Sequence, residues 1–418
     1  MTLTKMMQTI LHKNVTYFML ANILFSMSSM IVNVFLPKVL ERNFFDEFIY
    51  IFQMVFFLTN ISQVGIILGL YRYIQQVREE ALSIYYLSIF FINVILFALG
   101  VWHNNPLTIA LKLENLTALE QFTFYASVAT SGIFLYNKGK NVADKAYRYM
   151  IRISITAFIL RIVAIVLLLQ LKISSTTPCL VLLFIMPFAQ DIWDYVRNSF
   201  KHVQVHLITK RHVQDFFTYC LKIWVVASMF NIADRIFLIY TKGLSIRFTT
   251  ALAFSAGLIG IITLFNNSFY NYFISNMHEN NLSVIKQHIK RLNKIAPLYM
   301  IMLLLLCTAI SFCILTVFPE LGKLTSIISF IVLFRTGLIS YIGMYSLLSK
   351  VLNILNLEIA LGLLRIAIVW ILCTCWQPSN MILWYTAITF TIPFPEIILS
   401  LVVKIEVNRR IQRETDNK

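Results

Sequence analysis

The sequence predicts an all-α polytopic membrane protein with about 12 transmembrane helices in two six-helix lobes. Three observations predict it. Of the 418 residues 59% are hydrophobic and only 13% charged, a composition well outside the range of soluble domains. The apolar residues gather in runs near the ~20 needed to cross a bilayer. Finally, two stretches about 205 residues apart nearly repeat each other. Leu160-Arg161-Ile162-Val163-Ala164 matches Leu364-Arg365-Ile366-Ala367-Ile368, and one helix later Ile185-Met186-Pro187-Phe188-Ala189-Gln190 matches Thr391-Ile392-Pro393-Phe394-Pro395-Glu396. A duplicated helical bundle is the architecture of transporters.

The expected spans are 15–36, 48–71, 81–102, 119–136, 151–171, 178–197, 218–240, 249–273, 295–318, 323–348, 355–376 and 381–405. Span 1 follows a short basic leader containing Lys5 and Lys13. It is too long for a cleaved signal core and no small-x-small site follows, so it reads as a retained anchor. Span 2 ends in Tyr71-Arg72-Tyr73, and span 3 is apolar all round. Span 4 is the weakest, with Glu120 and Gln121 at its start. Span 5 carries Arg161, and span 6 carries Pro187, Asp191 and Asp194. Span 7 holds Lys222, Asp234 and Arg235; span 8 is amide-rich; span 9 is apolar. Span 10 carries Arg335, span 11 Glu358 and Arg365, and span 12 Pro393, Pro395 and Glu396. The lobes are residues 1–205 and 218–418, joined by a linker at 206–217. No loop exceeds about 25 residues, which leaves no room for a soluble catalytic or nucleotide-binding domain.

The net charge of +16 invites a nucleic-acid reading, which the placement of the charges excludes. Counting span ends, the amino terminus, the even-numbered loops and the tail hold about 23 Lys and Arg, against about seven on the opposite side. That asymmetry places both termini in the cytoplasm, and basic loops beside anionic lipid headgroups account for the charge. All six cysteines lie in or beside spans, where they act as small apolar residues. Cys373 and Cys375, two apart on a helix, point to different sides, and no histidine has a second ligand type at useful spacing, so no metal is expected. No cofactor is expected either, and the absence of a glycine-rich loop ending in Gly-Lys-Ser/Thr excludes direct use of ATP.

A polar side chain in hydrocarbon must meet protein or water, so polar residues on one helical face reveal what that face touches. Asn22, Ser26, Ser29 and Asn33 form one stripe of span 1 at ~100° per residue. Span 2 carries Gln53, Asn60 and Gln63, span 7 carries Ser228, Asn231 and Arg235, and span 8 carries Thr263, Asn266, Asn267, Tyr270 and Asn271. The same pair of helices is polar in each half. Helix-to-helix glue is the plain explanation; repetition at related positions favours a shared aqueous cavity.

Each charge near the midplane costs at least ~2.5–3.5 kcal/mol and needs a partner, water or a substrate. Glu358 and Arg365, seven residues apart, share one helix face. Adjacent Asp234 and Arg235 diverge by ~100° and cannot simply neutralise each other. Lys222 sits where it can snorkel. Arg335 has no acid on its own helix and is the leading candidate to meet an anion, since a guanidinium donates two parallel hydrogen bonds to phosphate. The candidate substrate-binding set is Arg72, Arg161, Arg235, Arg335 and Arg365 with Asn22, Ser26, Ser29, Asn33, Asn60, Asn231, Asn266 and Asn267. Asp191, Asp234, Glu358 and Glu396 are the candidate ion-coupling acids. Pro187, Pro393 and Pro395, in matching helices of the two halves, are candidate hinges.

Phe230-Asn231-Ile232-Ala233-Asp234-Arg235-Ile236-Phe237-Leu238, with Ala253-Phe254-Ser255 after a short loop, resembles the helix 7 and 8 region of polysaccharide exporters in the multidrug/oligosaccharidyl-lipid/polysaccharide (MOP) superfamily. Gly65-Ile66-Ile67-Leu68-Gly69-Leu70-Tyr71-Arg72-Tyr73 looks like the glycine-rich end of that family's second helix, which commonly closes on Arg-Tyr. By length and span count the chain looks most like the Wzx-type O-antigen flippases. The resemblance implies a MATE/MOP-like fold and movement of an undecaprenyl-pyrophosphate-linked oligosaccharide across a bacterial inner membrane by alternating access. It also implies partners among envelope glycan assembly proteins and coupling to H+ or Na+.

Three rivals carry different signatures. A drug/cation antiporter of the same superfamily favours acidic and aromatic cavity residues over arginine. A major-facilitator carrier would show Asp-Arg-x-Gly-Arg between spans 2 and 3, where Arg78-Glu79-Glu80-Ala81 stands instead. An integral-membrane polymerase or glycosyltransferase needs a large external loop, so the chain does not read as an enzyme. The topology is checked with reporters fused after Lys140, Lys210 and Lys290, which should be cytoplasmic, and after Asn105, Thr176 and Gln377, which should be periplasmic. A periplasmic signal at Lys210 would break the two-lobe arrangement.

Overall fold

The computed structural model describes residues 13–74, 76–262, 282–351, 355–376 and 380–416. Among them there is no strand. The principal helices are α1 (Lys13–Val39), α2 (Arg42–Ser62), α3 (Ile66–Tyr73), α4 (Arg78–Val101), α5 (Ala118–Ala143), α6 (Tyr147–Leu171), α7 (Thr176–His202, interrupted), α8 (Lys210–Lys242), α9 (Ile246–Gly257), α10 (Leu282–Val317), α11 (Gly322–Val351), α12 (Leu355–Cys375), α13 (Met381–Thr391) and α14 (Phe394–Asp416). The chain is an all-helical, multi-pass membrane protein.

A helix stands at each of the twelve expected positions, yet among the described residues nine are long and apolar enough to cross a membrane, or ten if the two parts of α8 form one span. The shortfall has two sources. On α5 the buried positions include Gln121, Thr123, Ser127, Thr130, Ser131, Asn137 and Asn141, so this helix hides its polar side chains among its neighbours. At the eighth position the apolar helix is short, Ile246–Ile262, and the rest of the expected span, with Asn266 and Asn267, lies outside the described residues.

Two compact units are present, Met1–Asn231 and Ile232–Lys418. In the first, α1 packs along α6, and α5 is central, touching α2, α4 and α7. Exposed Phe90, Phe91, Val94 and Ile95 on α4, and Ile159, Val163 and Val166 on α6, give the unit an apolar flank suited to lipid. In the second, α11 is central, packed by α9, α10 and α14, while α10 turns Leu298, Ile301, Met302 and Leu305 outward.

The glycine-rich segment has a packing cause. Val64 and Gly65 both take positive φ, 45° and 67°, which breaks the second span between α2 and α3. A Cβ on Gly65 would strike the Cys220 carbonyl, and one on Gly69 would strike the Cys220 thiol and the Phe216 ring. The missing side chains let the first part of α8 lie directly against α3. There Trp224 Nε1 donates to the Ile61 carbonyl at 2.6 Å, one of the groups freed by the break. The start of α8 is fastened as well: Glu80 accepts from the Thr209 amide at 2.6 Å, from the Thr209 hydroxyl at 2.8 Å, and pairs with His212 Nδ1 at 2.7 Å.

The prolines mark interruptions in both halves. In α7 a π-helical turn, Val181–Ile185, precedes a 3-10 turn, Met186–Phe188, because Pro187 lacks the N–H that would continue the ladder. The Phe184 carbonyl in that stretch accepts the Thr130 hydroxyl at 3.2 Å. In the second unit the helix breaks at Ile392–Pro393, between α13 and α14. Gly65→Ala should destabilise the protein by about 2–4 kcal/mol, from left-handed strain plus overpacking. Gly343→Ala, where a Cβ meets nothing within 4 Å, should leave stability unchanged or raised. Thermal unfolding in detergent checks the contrast, and equal melting temperatures would contradict the packing account.

Candidate functional site: buried arginines in the two units

The described charges inside the second unit are brought together by helices distant in sequence. Arg365 of α12 forms an ion pair with Glu396 of α14, both side chains almost completely buried, at 2% and 3% exposure. Arg335 of α11 donates from Nη2 to Asp234 Oδ2 of α8 at 3.1 Å; its side chain is 6% exposed, whereas that of Asp234 is 37% exposed. The two pairs are neighbours, since Arg365 lies within electrostatic reach of both Asp234 and Arg335. Tyr385, buried on α13, faces Arg335, Asp234 and Arg235. Neutralisation across helices is the physical requirement here, because a single buried charge would cost several kcal/mol.

Arg335 also borders a small, almost wholly apolar cleft with Phe330, Ile331, Phe334, Leu338, Thr389, Phe390 and Pro393, about 40 Å³ in volume. That is far below the volume of ligand pockets, about 300–1,000 Å³. Arg335 Nε is buried with no hydrogen-bond partner among the described residues.

The first unit has a different composition at the corresponding places. Arg161 of α6, 2% exposed, donates from Nη1 to the hydroxyls of Ser28 at 3.0 Å and Ser29 at 2.9 Å. Its guanidinium carbon stands 5.0 Å from the centre of the Phe188 ring, just past Pro187. Thus the stripe of α1 meets an arginine at Ser29. Asn33 is buried, while Asn22 and Ser26 are half-buried. Asp191 is buried, and the Asn137 amide donates to its carbonyl at 2.7 Å and its carboxylate at 3.3 Å. Asp194 accepts the Tyr149 hydroxyl.

The remaining candidates are dispersed. Arg72 is exposed and stacks at 4.4 Å over Tyr219 of α8. Asn60 is exposed and accepts from Gln63 at 3.5 Å. Asn231 and Arg235 are half-buried, and Glu358 is buried. Arg365 pairs with Glu396 of α14, a partner the sequence reading did not name. Ser28 and Thr130 are site neighbours that the stripe analysis did not single out. Ser28 sits beside Ser29 in sequence, and Thr130 lies in a span whose polarity was visible but whose facing was not. Among the described residues no His/Cys/Asp/Glu group could hold a metal.

No family model and no curated protein sequence matches the chain. Solved structures do. A MATE solved in complex with MaL6 aligns with a TM-score of 0.61 at 9% identity over 94% of this chain and 95% of that one. The chain has the MATE fold. An inward-facing multidrug resistance MATE family transporter of the MOP superfamily aligns at 0.54 and 11% identity, over 96% of each chain. An outward-facing one aligns at 0.55 and 12%, over 94% of each. The MATE-type fold is therefore one found in both alternating-access conformations, and these neighbours are transporters.

The two pairs of the second unit differ in what they tolerate. Arg365→Ala or Glu396→Ala, each leaving one buried charge behind, should cost about 3–5 kcal/mol. Replacing both with Met should recover most of that loss. Membrane abundance and thermal unfolding of the three variants measure it; a double variant as unstable as the sum of the singles would remove the pairing argument.

Proposed function

We propose that this protein flips a polyprenyl-pyrophosphate-linked oligosaccharide, such as an O-antigen repeat unit, across the bacterial inner membrane by alternating access. The observation that carries this reading is the placement of buried arginines inside a transporter fold: Arg161 against the hydroxyls of Ser28 and Ser29 of α1, and Arg335 beside Asp234. A diphosphate suits a guanidinium fork, and a sugar suits modest polar partners such as Asn22, Ser26, Ser29 and Asn33. A hydrophobic cation would instead need carboxylates open to it. In the second unit Asp234 and Glu396 already bond to arginines, which disfavours the multidrug antiporter reading.

Coupling to H+ or Na+ falls to the buried acids. Asp191, held by an amide rather than a guanidinium, is the strongest among them. In this reading the lobes 1–205 and 218–418 rock about the 206–217 linker, with Pro187, Pro393 and Pro395 absorbing the bend. Envelope glycan assembly proteins would supply the lipid-linked substrate and take it up after flipping.

Replacing Arg161 with Ala should lower surface glycan by about ten-fold or more at unchanged membrane abundance, while Arg161→Lys should retain part of it by keeping charge without the fork. Full glycan display by Arg161→Ala, together with lost tolerance to cationic dyes when the protein is deleted, would favour the antiporter.

A further inference from the structure

We propose that the outer face of α10 and α14 is a docking site for an anionic glycerophospholipid. Its headgroup rests on Lys290, Arg291 and Lys294, and its acyl chains follow the apolar stripe that continues from them. The arrangement of side chains around α10 carries the proposal. Lys290, Arg291 and Lys294 are exposed, and among the described residues none of the three forms an ion pair. At about 100° per residue, Lys290, Lys294, Leu298, Ile301 and Leu305 fall within a sector of about 80°, bordered by Arg291 and Met302. All of these are exposed, while Ile289, Leu292, Tyr299, Leu303 and Cys307 on the opposite side of the helix are buried. One face of α10 thus has a cationic head and an apolar tail. From Lys294 to Leu305 the tail runs about 16 Å, close to half the ~30 Å hydrocarbon thickness, so it matches the chains of one leaflet.

The neighbouring helix repeats the pattern. α14 packs against α10, and its exposed Ile397, Leu401 and Ile405 lead, four residues at a time, to exposed Arg409. Four consecutive spans run from α10 through α11 and α12 to the end of α14. The start of α10 and the end of α14 therefore emerge on one side, which the charge asymmetry assigns to the cytoplasm. That asymmetry fixes a side of the membrane and not a face of a helix. Here the cations stand on the lipid-facing side, where their stems lie along the apolar stripe and their charges reach headgroup level. Basic surfaces between membrane helices at this depth bind phosphate-bearing headgroups. A zwitterionic headgroup brings an ammonium of its own to compete for the phosphate, whereas an anionic one leaves its charge to the protein; three uncompensated cations therefore select the anionic lipid. The third span of the first half opens differently. On α4, Arg78, Glu79 and Glu80 pair with Asp144, His202 and His212. The proposal is independent of the export reading.

The test is native mass spectrometry of the full chain, released from detergent micelles that hold equal amounts of phosphatidylglycerol and phosphatidylethanolamine with chains of different mass. Wild type should carry phosphatidylglycerol in about ten-fold preference. Each cation near the headgroups strengthens anion binding roughly five-fold. Lys290→Gln with Lys294→Gln, and independently Arg291→Gln with Lys294→Gln, should therefore bring the preference close to unity. Arg197→Gln with Lys201→Gln, which removes two exposed cations from the end of α7, should keep it, as should Lys290→Arg with Lys294→Arg. Thermal unfolding in detergent, expected at the wild-type temperature for every variant, separates lost lipid from lost fold. Three results would overturn the proposal: no preference in wild type, full preference in the two α10 glutamine pairs, or equal loss in the α7 pair. Displacement of phosphatidylglycerol by an equimolar amount of farnesyl-diphospho-N-acetylglucosamine would overturn it as well, by giving the face to a lipid-linked sugar instead of a resident phospholipid.

Discussion

The structure depends on one electrostatic constraint: a charge inside the bilayer must be matched from another helix, because the same helix rarely presents a partner at the right angle. Arg335 meets an acid 101 residues away, on α8, and Arg365 meets one on α14. These pairs fix the rotation of α8, α11, α12 and α14 about their own axes, which apolar contacts alone leave loosely set. A buried ion pair is often no more stabilising than well-packed apolar residues. Its presence is therefore better explained by what it positions than by the stability it adds.

The two halves have diverged along this same constraint. Where the second unit joins Arg365 to Glu396, the first has Gln190 at the matching position, and its Arg161 turns to the serines of α1 and the ring of Phe188. Where the second has Arg335, the offset of about 205 residues falls on Thr130, which spends its hydroxyl on the carbonyl of Phe184 beside the Pro187 break. The related positions thus carry arginine–carboxylate pairs in the second unit and an arginine held by hydroxyls in the first.

Much of this was legible in the sequence, and the limit has a physical reason. Apolar runs of bilayer length declared the helices, and Arg161 and Arg365 stood out because so few charges interrupt those runs. Pro187 and Pro393 announced breaks, although not the π and 3-10 turns that α7 uses to absorb its own. Partners were harder to see. Helical periodicity relates Glu358 to Arg365 within one helix; nothing in a single sequence sets the rotation that brings Glu396 of another helix to Arg365. The same gap hid the meeting of Ser28 and Ser29 with Arg161, and the glycines of α3 with Cys220 and Phe216. Span 4 fell below the apolar threshold for a related reason: its polar residues are covered by neighbouring helices, and coverage is a tertiary property.

The breaks and the charges are linked in space. Phe188 directly follows Pro187 and carries the ring against Arg161, while Glu396 lies within one turn of Pro393 and holds Arg365. Bending at either proline must therefore move the residue that the arginine touches relative to the helix it sits on. In the first unit such a shift trades a ring contact, weak and tolerant of distance. In the second it strains a sealed ion pair, which resists because separation would leave both charges without water. If the helices hinge at these prolines, as the proposed alternating access requires, the second break is the stiffer one, because its ion pair resists separation where a ring and two hydroxyls do not.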